Sequence, residues 1–326
     1  MNHIFGPVNS RRLGRSLGID CFQEKICNLN CIYCEVGETI LLTCERAEYT
    51  PATEIFAEID AYCRQSERVA ELDFVTVTAS GEPTLHVDLG KILAYLKKVT
   101  SKPLAVLTNG TTLSDKQVCA ELALADVVIP SLDAALPASF RKLDRPASCL
   151  DLKRIIGGLV SFSRQYQGEL WLEILFARGM NDSDEDISAL RQVVDRMHID
   201  RLQLNTVARP PLESFARPID EQRMLAIAEQ FRQDNSSCPV DLLSRGIGQQ
   251  DEHEEQKGFD LNRDAEKEAV LREIIEMLKR RPCTAADINR TFHLGGPDKV
   301  EQLLASLVQG GTLQKRPHGD RLYYQG

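Results

Sequence analysis

No apolar stretch of this 326-residue chain approaches the ~18 residues needed to cross a bilayer, so no membrane-spanning helix is expected. The opening residues, MNHIFGPVNSRRLG, lack the apolar core of a secretory leader, and the expected location is the cytoplasm. No repeat of fixed period and no low-complexity tract is visible, and Gly and Pro number only 20 and 14. Solenoid, collagen-like and wholly disordered readings are therefore excluded. Positive charge is scarce: 39 Lys and Arg against 48 Asp and Glu leave a net −9. Phosphate affinity comes mainly from counterions released around basic patches, so a broad nucleic-acid-binding surface is not expected. The six histidines are scattered, and none pairs at metal-ligand spacing.

What is present is an alternation of helical and extended segments. A helix is expected from Pro51 to Arg68, with Thr50 as its N-cap, and a strand from Leu72 to Ala79. Strands follow at Leu104–Leu107, Asp126–Pro130, Leu170–Phe176, Arg201–Asn205 and Pro239–Leu243, with helices at 89–99, 114–124, 150–165, 184–196 and 220–233 between them. This order argues for a parallel α/β sheet, open or closed. Polar residues cluster just after the strands, on the side where such folds place their sites. Residues 246–262 are polar and acidic and read as a linker between a domain over 1–245 and another over 263–326. The tail shows three helices (265–280, 284–292, 297–309) and two short extended pieces around Pro-His-Gly-Asp, a winged-helix-like pattern. Thr284 suits an N-cap there, Pro297 the first helical position and Gly310 a C-terminal stop.

Ten cysteines are many for a reducing compartment, where a cluster of them points to metal or catalysis. Cys27-Asn-Leu-Asn-Cys31-Ile-Tyr-Cys34 is that cluster. Three thiolates on a loop can hold a [4Fe–4S] cluster and leave one iron open, since an all-protein site needs four. The competing reading is a zinc knuckle with Cys44 or Cys21 as fourth ligand. Cys63, Cys119, Cys149, Cys238 and Cys283 read as isolated thiols.

The C-x3-C-x2-C spacing, with Tyr33 before the last Cys, resembles the signature of the radical S-adenosylmethionine (SAM) superfamily, and the resemblance continues over about 5–245. It implies a partial (β/α)6, TIM-like barrel that binds a [4Fe–4S] cluster and SAM, and that receives electrons from a low-potential donor. Cys27, Cys31 and Cys34 would be the metal ligands. Ser80-Gly81-Glu82-Pro83 matches the family's Gly-Glu-Pro motif, whose backbone contacts SAM; Ser131 and Asp133 match the ribose contacts, and Phe176 the support of the adenine. Asn109, before Gly110, is a turn or a site residue. Gly81 is expected to let a ligand approach the backbone, and Asp133 could instead cap a helix. More narrowly, FGPVNSRRLGRSLGID, SGEPTLH, FRKLDRP, RGMND and QLNTVARPP resemble bacterial and archaeal iron–sulfur oxidoreductases related to the enzymes of tRNA wyosine synthesis.

Substrate-binding candidates are Arg11, Arg12 and Arg15, Arg145 and Arg209, and Asn205. Guanidinium groups suit carboxylates and phosphates. Glu173 alternates with apolar residues on a strand, and an inward carboxylate needs a partner. The expected activity is reductive SAM cleavage to a 5′-deoxyadenosyl radical that modifies an RNA base. The alternatives are a peptide or protein substrate, or a non-enzymatic redox-sensing regulator. In the tail, ten Lys and Arg against eight Asp and Glu from Ala265 leave only +2, with Lys315, Arg316 and Arg321 the best RNA contacts. A protein-docking use of the tail fits equally well.

Overall fold

A computed structural model describes residues 2–10, 12–64, 66–78, 80–234, 238–243 and 264–326. Arg11 and the expected linker over 246–262 lie outside the described residues.

The chain opens with strands β1 (Ile4–Ser10) and β2 (Gly14–Asp20), an antiparallel hairpin where the sequence shows only a Gly- and Arg-rich approach to the cysteines. Two short strands follow, β3 (Ile26–Cys27) and β4 (Leu41–Leu42). Then come α1 (Ala52–Cys63), α2 (Ser66–Ala70), β5 (Phe74–Thr78), α3 (Leu89–Val99), β6 (Leu104–Thr108), α4 (Lys116–Leu122) and β7 (Val127–Pro130). The first unit closes with α5 (Pro137–Leu143), α6 (Leu152–Gln165), β8 (Glu169–Phe176), α7 (Asp184–Val194), β9 (Arg201–Thr206), α8 (Glu221–Asp234) and β10 (Val240–Leu242). The sheet order is β1-β2-β5-β6-β7-β8-β9-β10, parallel throughout except for the β1–β2 pair. The sheet does not close on itself, so β1 and β10 are its edges.

Alternation along the strands decides what each face does. Leu104, Val106, Val128, Leu170, Leu172, Leu202 and Leu204 face the helices in the main core. Leu13, Ala105, Val127, Ile129 and Trp171 form a separate cluster on the opposite face. Two helix starts depart from expectation. Thr50 does not cap α1; Pro51 holds that position without a side-chain bond, and the Thr50 carbonyl accepts from His86 Nε2 instead. The expected 51–68 helix is two helices, α1 and α2.

The tail comprises α9 (Asp264–Arg280), α10 (Ala285–Phe292), α11 (Pro297–Gln309) and an antiparallel hairpin of β11 (Gln314–His318) and β12 (Arg321–Gln325). Thr284 caps α10 in a reciprocal box with Asp287, as its sequence pattern suggests. Gly311, not Gly310, takes the left-handed conformation after α11.

This tail shares a core with the barrel. Phe5 and Val8 of β1 pack with Val270, Ile274, Met277 and Ile288. Arg280 lies over the Phe5 ring at 5.2 Å and pairs with Asp20 at 2.8 Å. Away from β1, the hairpin docks on the segment after β9. Tyr323 Oη donates to the Ala208 carbonyl (3.0 Å) and Arg316 Nη2 to that of Pro211 (3.2 Å). The tail therefore touches both β1 and the segment after β9.

Candidate active site

A cavity of about 410 Å³ lies at the C-terminal ends of the strands and extends into the concave face of the sheet. All three thiols of the 27–34 loop line it, and among the described residues no other cysteine does. The loop is fixed by its backbone. Ile26 N donates to the Ser80 carbonyl (3.1 Å), Glu82 N to that of Ile26 (2.9 Å), and Ile32 N to that of Leu143 (3.0 Å). Cys27 Sγ accepts from Leu29 N (3.4 Å) and Asn109 Nδ2 (3.7 Å), the kind of donor that stabilises a thiolate bound to metal. Burial pushes the Cys27 thiol up to about 12. Cys31, which donates to Asp144, is also raised by burial. The metal-free pocket thus keeps these thiols protonated, and metal binding must release their protons.

Gly81 lines the cavity and also makes room for a neighbouring backbone. Its φ is +141°, and a Cβ there would stand 1.8 Å from the Ile26 carbonyl oxygen. The missing side chain makes room for the strand that carries Cys27. Glu82 is buried at the cavity wall and its carboxylate accepts four hydrogen bonds. They come from Thr84 N (3.0 Å), Thr84 Oγ1 (2.6 Å), Thr108 Oγ1 (2.7 Å) and Asn109 N (2.6 Å). Burial raises its pKa despite those donors. Glu82 therefore locks the loops after β5 and β6 together, and Asn109 extends the lock to the cysteine loop through Asn28 Oδ1 (2.8 Å).

Asp133 does not cap a helix. One oxygen accepts from Leu175 N (2.7 Å) and the other from Tyr33 Oη. Burial lifts it to about 7, the two hydrogen bonds working against the rise. Inside the barrel, Glu173 has the partner that its inward position requires: Arg12 Nη2 at 2.6 Å, with Asn205 Nδ2 at 2.9 Å on the same oxygen. Arg209 also lines the cavity and pairs with Glu35 at 3.2 Å.

The radical SAM superfamily profile matches residues 25–190, half of the chain. The chain belongs to the radical SAM superfamily. It is 36% identical over 212 residues to a UPF0026 protein of Synechocystis sp., covering 64% of this chain and 77% of that one. A UPF0026 protein of Methanocaldococcus jannaschii is 29% identical over 307 residues, 92% of this chain and 94% of the other. A protein of Brachyspira hyodysenteriae named GTPase Obg is 32% identical over 312 residues; the match covers 96% of this chain but only 43% of that protein. Among solved structures, TYW1 with a lysine-pyruvate adduct bound superposes with a TM-score of 0.52 at 18% identity, covering 67% of this chain and 73% of that chain. A radical SAM methyltransferase from Sphaerobacter thermophilus gives 0.55 at 17%, covering 70% and 65%. These two show the fold.

The radical SAM barrel gathers at one cavity Cys27, Cys31, Cys34, Tyr33, Gly81, Glu82, Asn109, Ser131, Asp133, Arg12, Glu173, Asn205 and Arg209. It leaves five other candidates off the cavity wall. Ser80 is buried with Oγ on Asp20 (2.7 Å), and Pro83 starts a buried turn. The Phe176 ring lies in the core between sheet and helices. Arg15 pairs with Glu71 (2.8 Å), and Arg145 with Glu213 (2.6 Å). Cys149 is not an isolated thiol and Cys44 is not a spare ligand, because the two form a disulfide with Cα atoms 6.5 Å apart. Sequence reasoning missed Lys25, Arg280 and Arg281, which also line the cavity. The only signal for the last two is a basic run at a helix end, which normally just complements the helix dipole.

Proposed function

We propose that this chain is a [4Fe–4S]-dependent enzyme that cleaves SAM reductively and directs the resulting radical to a substrate in the cavity. One observation carries the reading: the three thiols and the loops after β5, β6 and β7 line the same cavity. Three protein sulfurs match in number a four-iron cluster with one iron left to another ligand, and among the described residues no three His, Cys, Asp or Glu side chains converge closely enough for a single metal ion. A cluster held by Cys27, Cys31 and Cys34 would supply the electron for reductive cleavage of bound SAM, the chemistry from which methionine and a hydrogen-abstracting 5′-deoxyadenosyl radical would come.

Cys27, Cys31 and Cys34 hold the irons, and Leu29 N and Asn109 Nδ2 donate to the Cys27 sulfur. The backbone at 81–82 and Ser131 meet SAM at the strand ends. Glu82, with all four of its hydrogen bonds inside the protein, positions that backbone. Asp133 orients Tyr33 against the cysteine loop and keeps lone pairs for a ribose hydroxyl. Arg12, Glu173 and Asn205 form a linked polar group deeper in the barrel, suited to orienting a substrate. Arg280 joins the tail to Asp20 at the cavity wall.

An RNA base is the substrate class we place first. Two relatives are named Probable RNA methyltransferase (25% identical over 233 residues) and Probable GTP 3′,8-cyclase (26% over 156). We read the tail as a winged-helix-type module that helps to hold the substrate. Because Arg316 is occupied by Pro211 and Gln325, Lys315 and Arg321 are the exposed basic groups of the β11–β12 hairpin. A low-potential electron donor is the partner this chemistry requires.

The test is anaerobic reconstitution with iron and sulfide, followed by reduction with SAM present. Equimolar methionine and 5′-deoxyadenosine are expected, together with label transfer into a small RNA pool. Label in a protein fraction instead would replace RNA with a protein substrate.

A further inference from the structure

The cavity wall contributed by the tail holds a cation whose buried nitrogen has no hydrogen-bond partner. Arg281, just past α9, lines the cavity. Its Nε is shut off from solvent without a hydrogen-bond partner, and among the described residues its side chain makes no hydrogen bond or ion pair. Arg209 lines the same space from the segment after β9. The two guanidinium groups are close enough to repel: burial first, and then Arg209, hold the pKa of Arg281 below its ordinary value.

The carboxylates nearby are already committed. Glu35 pairs with Arg209 at 3.2 Å. Asp287 accepts from Thr284 N (3.1 Å) and Thr284 Oγ1 (3.0 Å) in the α10 cap, and Arg290 Nη1 stands 3.6 Å from its other oxygen. Arg280 is spent on Asp20 and Glu276, and Lys25 donates to the Gly37 carbonyl at 2.5 Å. Among the described Lys and Arg side chains that line the cavity, Arg281 is the one without a hydrogen-bonded or ion-paired partner. A buried, unpaired guanidinium is costly unless something else supplies the anion.

We propose that Arg281, with Arg209, forms an oxyanion subsite that binds a phosphate or carboxylate group of the substrate. The planar fork of an arginine matches either anion through two parallel hydrogen bonds. The inference deepens the enzymatic reading above and rests on it: on the RNA-base reading, the anion is a phosphate next to the target base. It also assigns the tail a chemical role in the site, because Arg281 comes from the tail and Arg209 from the barrel.

The experiment uses the full-length, cluster-loaded, SAM-bound protein. Inorganic phosphate, and separately acetate, are titrated by calorimetry at constant chloride. Phosphate should bind the parent, and Arg281→Gln should weaken it by about tenfold or more, with cluster absorbance retained as the folding control. Acetate binding with the same dependence on Arg281, and no phosphate binding, would uphold the subsite and make the anion a carboxylate. Should Arg281→Gln fail to keep its cluster, the titration is read from Arg281→Lys. That variant keeps the charge but loses the fork, and should bind several-fold more weakly. Binding of neither anion to the parent, or equal binding by parent and variants, overturns the subsite. The same preparation is assayed without substrate for 5′-deoxyadenosine. Its absence beside intact anion binding would sink the enzymatic reading while leaving the subsite standing.

Discussion

The barrel wall and the tail wall of the cavity are satisfied to different degrees. On the barrel side, Glu82 accepts four hydrogen bonds, Asp133 two, and Glu173 is matched by Arg12 and Asn205. On the tail side, Arg280 is fully used in docking, and its neighbour Arg281 is not used at all. The barrel wall is organised before any ligand arrives, which suits cofactors that must be held in one geometry. The tail wall keeps an uncompensated charge, which suits recognition of a group that arrives later.

The joint between the two walls gives the largest expected effect. Asp20 Oδ2 accepts from both Arg280 Nε (2.8 Å) and Ser80 Oγ (2.7 Å), and its carboxylate is fully buried. Asp20→Ala should lower stability by about 3–5 kcal/mol, as when one partner of a buried ion pair is removed. Denaturant unfolding measures it; a loss under about 1 kcal/mol would mean the tail docks without this link. Glu82→Gln should cost about 1–3 kcal/mol, because one acceptor oxygen is lost among buried donors. It should also weaken SAM binding, measured by equilibrium dialysis, while the cysteines remain in place. Unchanged SAM affinity would show that the lock between the loops after β5 and β6 does not shape the cofactor site.

Asp133 sharpens the comparison through pH. Its folded pKa, about 7, lies above the ordinary value of 3.8. Its protonated form therefore favours the fold, and that contribution is complete below the ordinary value and lost as pH rises towards about 7. The stability of the metal-free protein relative to Asp133→Asn should fall across that window. A pH-independent difference would mean that Tyr33 and Leu175 N hold the carboxylate ionised throughout. The smallest effect is expected on the tail's outward face. Reversing the charges of Lys315 and Arg321 should change stability by no more than about 0.5 kcal/mol, since Arg316 and Tyr323, not these two, dock on the barrel. A larger loss would place those side chains in the interface.

Much of this was legible in the sequence, for identifiable reasons. Strands at 104–108, 127–130 and 169–176 are short apolar runs bounded by turn residues, and helices such as 89–99 and 297–309 carry clear stops. The cysteine spacing and Ser80–Pro83 are local, so they mark the site without three-dimensional knowledge. The β1–β2 hairpin escaped because three glycines and several arginines interrupt its alternation, and Phe5 folds its ring over Gly18. The Cys44–Cys149 bond spans 105 residues, a pairing that no local spacing shows. Arg281 was invisible for a different reason: its importance lies in the absence of a partner, and partners are not written in spacing. Gly81 shows how a motif position can carry a second physical need that spacing does not show, since its missing side chain also makes room for the backbone of Ile26.

The account turns most directly on one measurement: quantifying 5′-deoxyadenosine and methionine from anaerobically reconstituted, reduced full-length protein with SAM, beside Cys31→Ala and Cys44→Ala. The prediction is equimolar products from the parent and from Cys44→Ala, and neither cluster nor products from Cys31→Ala. A parent that carries zinc, or a cluster-replete parent that leaves SAM intact, would contradict it.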